Sequence, residues 1–168
     1  LFEGGVDQGF AEEEGGARTM SLNFRQFELG VLRPALRESI VPNPEVAVRL
    51  VGETLWHESD RLRALGQYPR GERIPAISSG VEEIFGPGLG IASIERPTWD
   101  WMKGLGGIST RHYEELVYDL RLNVIACRYR YFFDPLPLPK LEDGIDARAT
   151  YWWKVFNRGQ VDRRPEYI

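Results

Sequence analysis

One glutamate stands on a face of a predicted helix that is otherwise apolar. Between Pro44 and about Leu65, the side chains of this face recur at spacings of three and four, the period of an α-helix. The members of the face are Val48, Val51, Leu55, Glu58, Leu62 and Leu65. A carboxylate among apolar side chains loses hydration, so burial favours the protonated acid and raises its pKa. A glutamic acid that stays protonated near neutral pH can act as a general acid, which makes Glu58 the first candidate catalytic residue.

Glu58 also has a purely structural explanation. An arginine at the edge of the apolar face, Arg61 or Arg63, can neutralise the carboxylate in an ion pair. A zinc site is not expected, because position 61 is arginine where the His-Glu-x-x-His pattern needs a second histidine. His57 points about 100° away from Glu58 around the helix, and we expect it on the surface or against a partner.

Three short motifs accompany Glu58 along the chain. Ser59 follows it directly, the turn Gly-Leu-Gly-Ile-Ala-Ser-Ile-Glu-Arg-Pro-Thr occupies residues 88–98, and Phe-Asn-Arg-Gly occupies residues 156–159. In this order the motifs resemble those of lysozyme-like lytic transglycosylases. Members of that family carry a Glu-Ser on a helix, a Gly-Leu-Met-Gln-Ile-like turn leading to Pro-x-Thr, and a late Tyr-Asn before a glycine.

Other segments make the resemblance closer to lysozyme-like transglycosylase-type proteins of tailed phages. Those proteins share the Arg-Pro-x-Leu stretch at 33–36, the proline-spaced segment at 135–139 and the Tyr-Trp-Lys type of helix end at 151–154. The resemblance covers about residues 21–160. It implies a mainly α, lysozyme-like (α+β) domain over residues 20–168, located in the virion or at the host cell envelope during infection.

The resemblance also implies a reaction and a site. The substrate would be the β-1,4 bond between N-acetylmuramic acid and N-acetylglucosamine in peptidoglycan glycan strands, with Glu58 as acid and then as base on the muramic 6-hydroxyl. The implied substrate-binding residues are Ser59, Gly90, Ile91, Ser93, Glu95 and Asn157. For Asn157 the alternative is an ordinary helix C-terminal residue. No metal ion or cofactor is implied.

A hydrolytic version of the reaction would need a second carboxylate. Glu95 and Asp100, both in the segment after the glycine turn, are the candidates. The alternative for each is an exposed, non-catalytic position.

Three positions depart from the family pattern. Ser93 stands where the family has glutamine, Phe156 replaces the late tyrosine, and Asp60 follows Glu-Ser in place of a small residue. Ser93 and Phe156 remove polar groups that would line a sugar site. They favour an alternative function, a catalytically inactive lysozyme-like structural component of a phage particle. A small helical interaction protein without a sugar site is a third possibility.

Composition excludes several other classes of protein. The 168 residues are 42% hydrophobic, which suits one domain with a real core and excludes disorder over the whole length. The single cysteine, Cys127, excludes a disulfide scaffold, and its place on an apolar helix face predicts a core thiol. The apolar runs are too short for a membrane-spanning helix. A net charge of −4 argues against a dedicated nucleic-acid binder.

The charge is concentrated at the N-terminus. Residues 1–19 hold five acids and one base, a balance of −4, so the remaining 20 acids and 20 bases cancel. This glycine-rich stretch is predicted to be an arm without a core of its own, and it lacks the features of a signal peptide. Three interpretations remain open, namely a tag or linker remnant before Met20, a flexible tail, or an arm that docks on another phage subunit.

The elements that must position Glu58 are predicted to be mostly helices. A helix begins near Ser21 and is broken or kinked at Pro34, and a second stretch ends near Ile40. Asn43 is expected to cap the helix that follows, with Pro44 in its first position and Gly66 at its end. Residues 66–95 are predicted to be loop-rich, with at most a short hairpin.

The C-terminal half continues the helical pattern. Pro97 is expected to open a short helix that breaks at Gly104–Gly107. Thr110 is expected to cap a helix over about 111–133, which the prolines after it end. Asp143 or Asp146 is expected to cap the last helix, which carries Trp152, Trp153 and Phe156 and ends at 157–159.

Two kinds of residue allow either a binding or a structural role. The glycines at 86–90 can let backbone amides approach a ligand or can simply form a tight turn. They lack the setting of a phosphate-binding loop, and no Gly-x-Ser-x-Gly elbow supports a serine triad. The tryptophans can stack on sugar rings or fill the core. They are Trp56, Trp99, Trp101, Trp152 and Trp153, and of the adjacent last two one is expected to be partly exposed.

Overall fold

The computed structural model of the chain describes residues 23–59, 61–62 and 88–158. These residues are mainly helical, as predicted. The helices and strands are α1 (Phe24–Phe27), α2 (Arg33–Glu38), α3 (Glu45–Glu58), β1 (Gly88–Leu89), β2 (Ile94–Glu95), α4 (Arg96–Gly104), α5 (Leu120–Phe132) and α6 (Gly144–Val155). A π-helical turn at Glu28–Leu32 and 3₁₀ turns at Tyr113–Val117 and Leu141–Asp143 complete them. The predicted arm, Asp60, Arg63, Leu65, Gly66, the glycines before Gly88 and Gly159 lie outside the described residues.

Pro34 does not break the first helix. The helix begins at a capping box, in which the side chain of Asn23 accepts from the amide of Gln26 at 2.9 Å. α1 then passes through the π-helical turn into α2, and the amide of Arg33 reaches back five residues to the carbonyl of Glu28. The wider turn just before Pro34 accommodates its missing N–H and bulky ring within one helical run.

The connector between α2 and α3 is held by Asn43 in an unexpected way. The prediction that Asn43 caps α3 is wrong, because Pro44 takes the N-cap position and the helix begins at Glu45. The amide of Asn43 instead donates to the carbonyls of Leu36 and Val41 at 2.8 and 2.7 Å. Its oxygen accepts from Nε of Arg128 at 3.0 Å, so this connector is tied to α5.

α5 is the central helix of the described fold. It packs against α2, α3 and α4, and most of its residues are buried. The predicted cap is wrong, because the helix begins after Asp119, whose carboxylate accepts from the amide of Leu122 at 2.9 Å. Thr110 lies before the separate 3₁₀ turn at Tyr113–Val117. A side-chain cap at Asp119 therefore splits the single predicted helix in two.

α6 is tied to α3 by a charged pair and lies beside α5. Arg148 donates from Nε and Nη2 to the two carboxylate oxygens of Glu53, at 2.7 and 2.8 Å. Between α3 and α5, the hydroxyls of Thr54 and Tyr131 share a buried hydrogen bond of 2.6 Å. Asp143 is the N-cap residue of α6, one of the two predicted, but its carboxylate accepts from the amide of Lys140, just before the 3₁₀ turn, and makes no cap bond to α6.

The strands and α4 follow the prediction closely. β1 and β2 form an antiparallel pair, with Gly88 opposite Glu95 and Leu89 opposite Ile94. This is the short hairpin expected before residue 95. α4 follows at once, begins one residue before Pro97 and ends at Gly104, and it buries Trp99 in the core.

Within the described ranges, no helix has the length and apolar character needed to cross a bilayer.

We expect Arg148→Ala to lower the free energy of unfolding by about 2–3 kcal/mol, because it leaves a partly buried carboxylate unpaired. The two side chains are 7% and 22% exposed. Arg49→Ala is the control, since Arg49 lies 3.8 Å from Glu45 and is 56% exposed. It should cost less than about 0.5 kcal/mol. Urea denaturation measures the free energy of unfolding of both variants, and equal losses would contradict a stabilising role for the pair of Arg148 and Glu53.

Candidate functional site

Glu58 is the last residue of α3, where the chain turns sharply. Ser59 is buried, and its hydroxyl donates to the carbonyl of Leu55 at 2.5 Å and accepts from the amide of Leu62 at 2.8 Å. Arg61 and Leu62 then adopt left-handed backbone angles, with φ of 61° and 64°. The prediction that this helix continues to about Leu65 is therefore wrong. The apolar periodicity runs past the helix end because Leu62 still packs against the core from the turn.

The Glu58 carboxyl meets an indole from the far end of the sequence. Nε1 of Trp152, on α6, donates to Oε1 of Glu58 at 3.2 Å. Glu58 is half-buried, whereas Trp152 is completely buried. Of the arginines considered as ion-pair partners, Arg61 is exposed. The environment of Glu58 is thus set partly by a neutral hydrogen-bond donor.

His57 does not lie on the surface as predicted. It is half-buried, and its ring packs edge-on against Trp152, with 4.8 Å between ring centroids and 78° between planes. Because α6 covers this side of α3, a residue one position from Glu58 still faces the interior.

The hairpin turn lies against the same helix end. The hydroxyl of Ser93 donates to the backbone carbonyl of Glu58 at 3.4 Å. Ser93 itself has a left-handed φ of 46°, which costs a non-glycine residue about 1–2 kcal/mol. Strained residues of this kind concentrate at functional sites. The structure thus brings together Glu58 and the turn at 88–95, two segments that the sequence motifs connect.

Asn123 holds this turn from below, and the sequence motifs gave no indication of it. Its side-chain oxygen accepts from the amide of Ala92 at 3.3 Å, and its amide donates to the carbonyl of Leu116 at 2.7 Å. The sequence did contain a clue to this role, because Asn123 is a polar residue one helical turn before Cys127 on the buried side of α5. A buried asparagine needs hydrogen-bond partners, and Asn123 finds them in the backbone of the turn and of the preceding segment.

The predicted substrate-binding residues fall into two groups. Ser59, Gly90 and Ile91 are buried, so they belong to the interior of the fold beside the site. Gly90 has a φ of 71°, and a Cβ there would meet Oδ1 of Asn123 at 2.0 Å and the carbonyl of Leu116 at 2.6 Å. The close approach at Gly90 is therefore made by protein atoms.

The remaining predicted residues lie nearer to solvent. Glu95 is exposed at the end of β2, and Asp100 is exposed on α4. Asn157 follows α6, where its backbone amide donates to the carbonyl of Trp152 at 3.1 Å. Its side-chain Nδ2 is buried and meets no hydrogen-bond acceptor among the described residues, so within that part of the chain it retains a donor close to Trp152.

The other tryptophans divide between the core and the surface. Trp99 is buried, whereas Trp101 is 38% exposed and packs edge-on against Phe133. Trp56 and Trp153 are half-buried, so one of the adjacent pair at 152–153 is partly exposed, as predicted.

Cys127 is a core thiol, as predicted. It is completely buried on α5, and burial raises its pKa well above the ordinary value, with the negative charge of Glu58 adding to the effect. The thiol therefore stays protonated and contributes apolar volume beside the site.

The arrangement suits proton transfer by one carboxyl group. A half-buried acid stands at a junction of three elements, accepts a hydrogen bond from a rigid indole, and has its backbone held by the hairpin turn. Among residues 23–59, 61–62 and 88–158, no group of three or more His, Cys, Asp or Glu side chains could hold a metal ion. A positioned acid is what general acid–base catalysis requires.

Comparisons of the chain with protein-family models, curated proteins and solved structures found no match.

Gly90→Ala should lower the free energy of unfolding by about 2–4 kcal/mol, because it adds left-handed strain and displaces Asn123. Gly106→Ala is the matched control, since Gly106 has a φ of 87° and no atoms near its Cβ position. It should cost about 1 kcal/mol. Urea unfolding of both variants checks the difference, and equal costs would show that packing at Gly90 contributes nothing.

Stability should fall at alkaline pH through Cys127. Because the folded state raises the pKa of this thiol, its contribution is complete below the unfolded pKa of about 8.5 and is lost as the pH rises above it. Between about pH 8 and about pH 9.5, wild type should lose about 1 kcal/mol more than Cys127→Ala. Urea unfolding at both pH values measures this, and parallel losses would refute it.

Proposed function

We propose that this chain is a peptidoglycan-cleaving lytic transglycosylase or muramidase-like protein with a lysozyme-like fold, of the kind carried by tailed phages. Its substrate is the β-1,4 bond between N-acetylmuramic acid and N-acetylglucosamine. The protein acts in the virion or at the host cell envelope during infection, and its acidic residues 1–19 bind other phage subunits.

The position of Glu58 carries this proposal. The residue ends a helix whose buried side is apolar, and the Ser93 hydroxyl of the hairpin turn reaches its backbone carbonyl at 3.4 Å. Glu58 and Ser93, which belong to two of the motifs that resemble the family, are 35 residues apart in the chain and in contact in space. Glu58 is half-buried, so part of the residue is exposed to solvent.

The proposed reaction uses Glu58 twice. In the first step the protonated carboxyl gives its proton to the glycosidic oxygen, and the bond from that oxygen to the muramic anomeric carbon breaks. In the second step the carboxylate takes the proton of the muramic 6-hydroxyl, whose oxygen forms a bond to the anomeric carbon. The product ends are a free 4-hydroxyl and a 1,6-anhydro ring, and Glu58 returns to its acid form.

A catalytically inactive structural component of a phage particle is the second candidate. Phe156 favours it, because its ring packs 5.7 Å from that of Tyr131 and presents no hydroxyl to a ligand. Ser93 favours it too, since its hydroxyl is directed to the Glu58 backbone, where the family has a longer glutamine side chain. Such a protein would keep the fold but would no longer cleave peptidoglycan.

Glu58→Gln should reduce peptidoglycan cleavage by at least about 10²-fold, because the amide cannot donate the required proton. Turbidity loss of purified peptidoglycan measures the rate, and mass spectrometry identifies 1,6-anhydro ends in the wild-type digest. Glu142→Gln, at an exposed position outside the site, is the control and should leave the rate unchanged.

The outcomes separate the two candidates. Activity that survives Glu58→Gln would refute the proposed mechanism. Inactivity of folded wild type would favour the structural component. Reducing ends in place of anhydro ends would indicate hydrolysis, and Glu95→Gln and Asp100→Asn would then identify the second carboxylate.

A further inference from the structure

The indole of Trp152 is held rigidly against the Glu58 carboxyl. The ring is completely buried, and its Nε1 lies 3.2 Å from Oε1 of Glu58. The His57 ring packs edge-on against it at 4.8 Å, so the plane of the indole is set by a neighbour from α3 itself. The adjacent residues His57 and Glu58 thus contact the same indole: His57 packs against the ring, and Glu58 accepts its hydrogen bond.

An indole N–H can donate a hydrogen bond but cannot accept one. The oxygen that faces Trp152 must therefore be an acceptor whether Glu58 is ionised or protonated. When Glu58 is an acid, its carbonyl oxygen is a better acceptor than its hydroxyl oxygen, so this hydrogen bond favours the proton on the other oxygen, Oε2. The indole thus makes the two otherwise equivalent oxygens different.

We infer that Trp152 is a positioning residue that orients the Glu58 carboxyl and directs its acidic proton through Oε2. This role rests on the proposed function of Glu58 as acid and base. Trp152 does not touch the substrate in this scheme. It sets the rotation of the carboxyl so that one oxygen stays with the protein and the other serves the reaction.

The same bond supports both proposed steps. In the first step, the bond at Oε1 favours delivery of the proton to the glycosidic oxygen from Oε2. After that transfer the carboxylate is negative, and a donor to an ionised group forms a stronger hydrogen bond than a donor to a neutral one. Trp152 therefore favours proton release in the first step and holds Oε2 ready to take the proton of the 6-hydroxyl.

Replacement of Trp152 by 3-benzothienylalanine tests the role, because it puts sulfur in place of the N–H and keeps the shape of the ring. We expect kcat for peptidoglycan cleavage to fall about tenfold, as a hydrogen bond to a charged group predicts, with KM within about twofold of wild type. The same replacement at Trp153, the half-buried neighbour, is the matched control and should leave both constants unchanged. Trp152→Phe, which also lacks the donor, should show the same fall in kcat.

An NMR measurement tests the contact without activity. The Trp152 indole N–H resonance should move as Glu58 titrates, and Glu58→Gln should abolish that movement. His57 packs against the indole and Cys127 lies beside Glu58, so any movement that remains in Glu58→Gln belongs to those groups.

The outcomes distinguish this inference from the proposed function. Wild-type kcat in the benzothienylalanine protein, with Glu58→Gln inactive, would overturn the role of Trp152 and leave the proposed function intact. An indole resonance that titrates identically in wild type and Glu58→Gln would also overturn the role. A folded wild type without cleavage activity would overturn the proposed function, and the catalytic role of Trp152 with it.

Discussion

The structure depends on the burial of α5, a helix that carries polar groups into the core. Asn123, Arg128 and Arg130 are all buried on it, and each needs acceptors where water is excluded. The acceptors come from elements around the helix. Asn123 donates to the carbonyl of Leu116, Arg128 to that of Pro42 at 2.6 Å, and Arg130 to that of Val155 at 2.6 Å. One buried helix therefore holds the turn before it, the connector before α3 and the end of α6 at defined places.

The candidate site is a consequence of these attachments. Arg128 holds the start of α3 through Asn43, Asn123 holds the hairpin through Ala92, and Arg130 holds α6 a few residues beyond Trp152. Glu58 lies where these elements meet. Its carboxyl faces a buried indole and its backbone faces the turn. Because contacts in the core position each element of the site, they also favour a fixed orientation of the Glu58 carboxyl.

Features of the fold that depend on interactions between nearby residues could be predicted from the sequence, whereas features that depend on distant residues could not. The hairpin, α4 and the mainly helical character follow from glycine, proline and apolar spacing, which act over a few residues. The caps at Asn43 and Thr110 were predicted wrongly, because the capping rule considers only the nearest amides. Asn43 has a better partner in Arg128, 85 residues away, and Asp119 captures the start of α5. The end of α3 was missed because apolar periodicity continues through a left-handed turn.

The sequence by itself determined that one carboxyl stands on an apolar helix face, because periodicity is a local property of the chain. It also determined that a glycine turn and a late tryptophan pair follow in a set order. Only the tertiary structure decided that Trp152 donates to Glu58, that the His57 ring packs against the indole, and that Gly90 makes room for Asn123. These choices depend on contacts between segments as far as 94 residues apart, whose geometry is set by packing and by the acceptors that buried donors require.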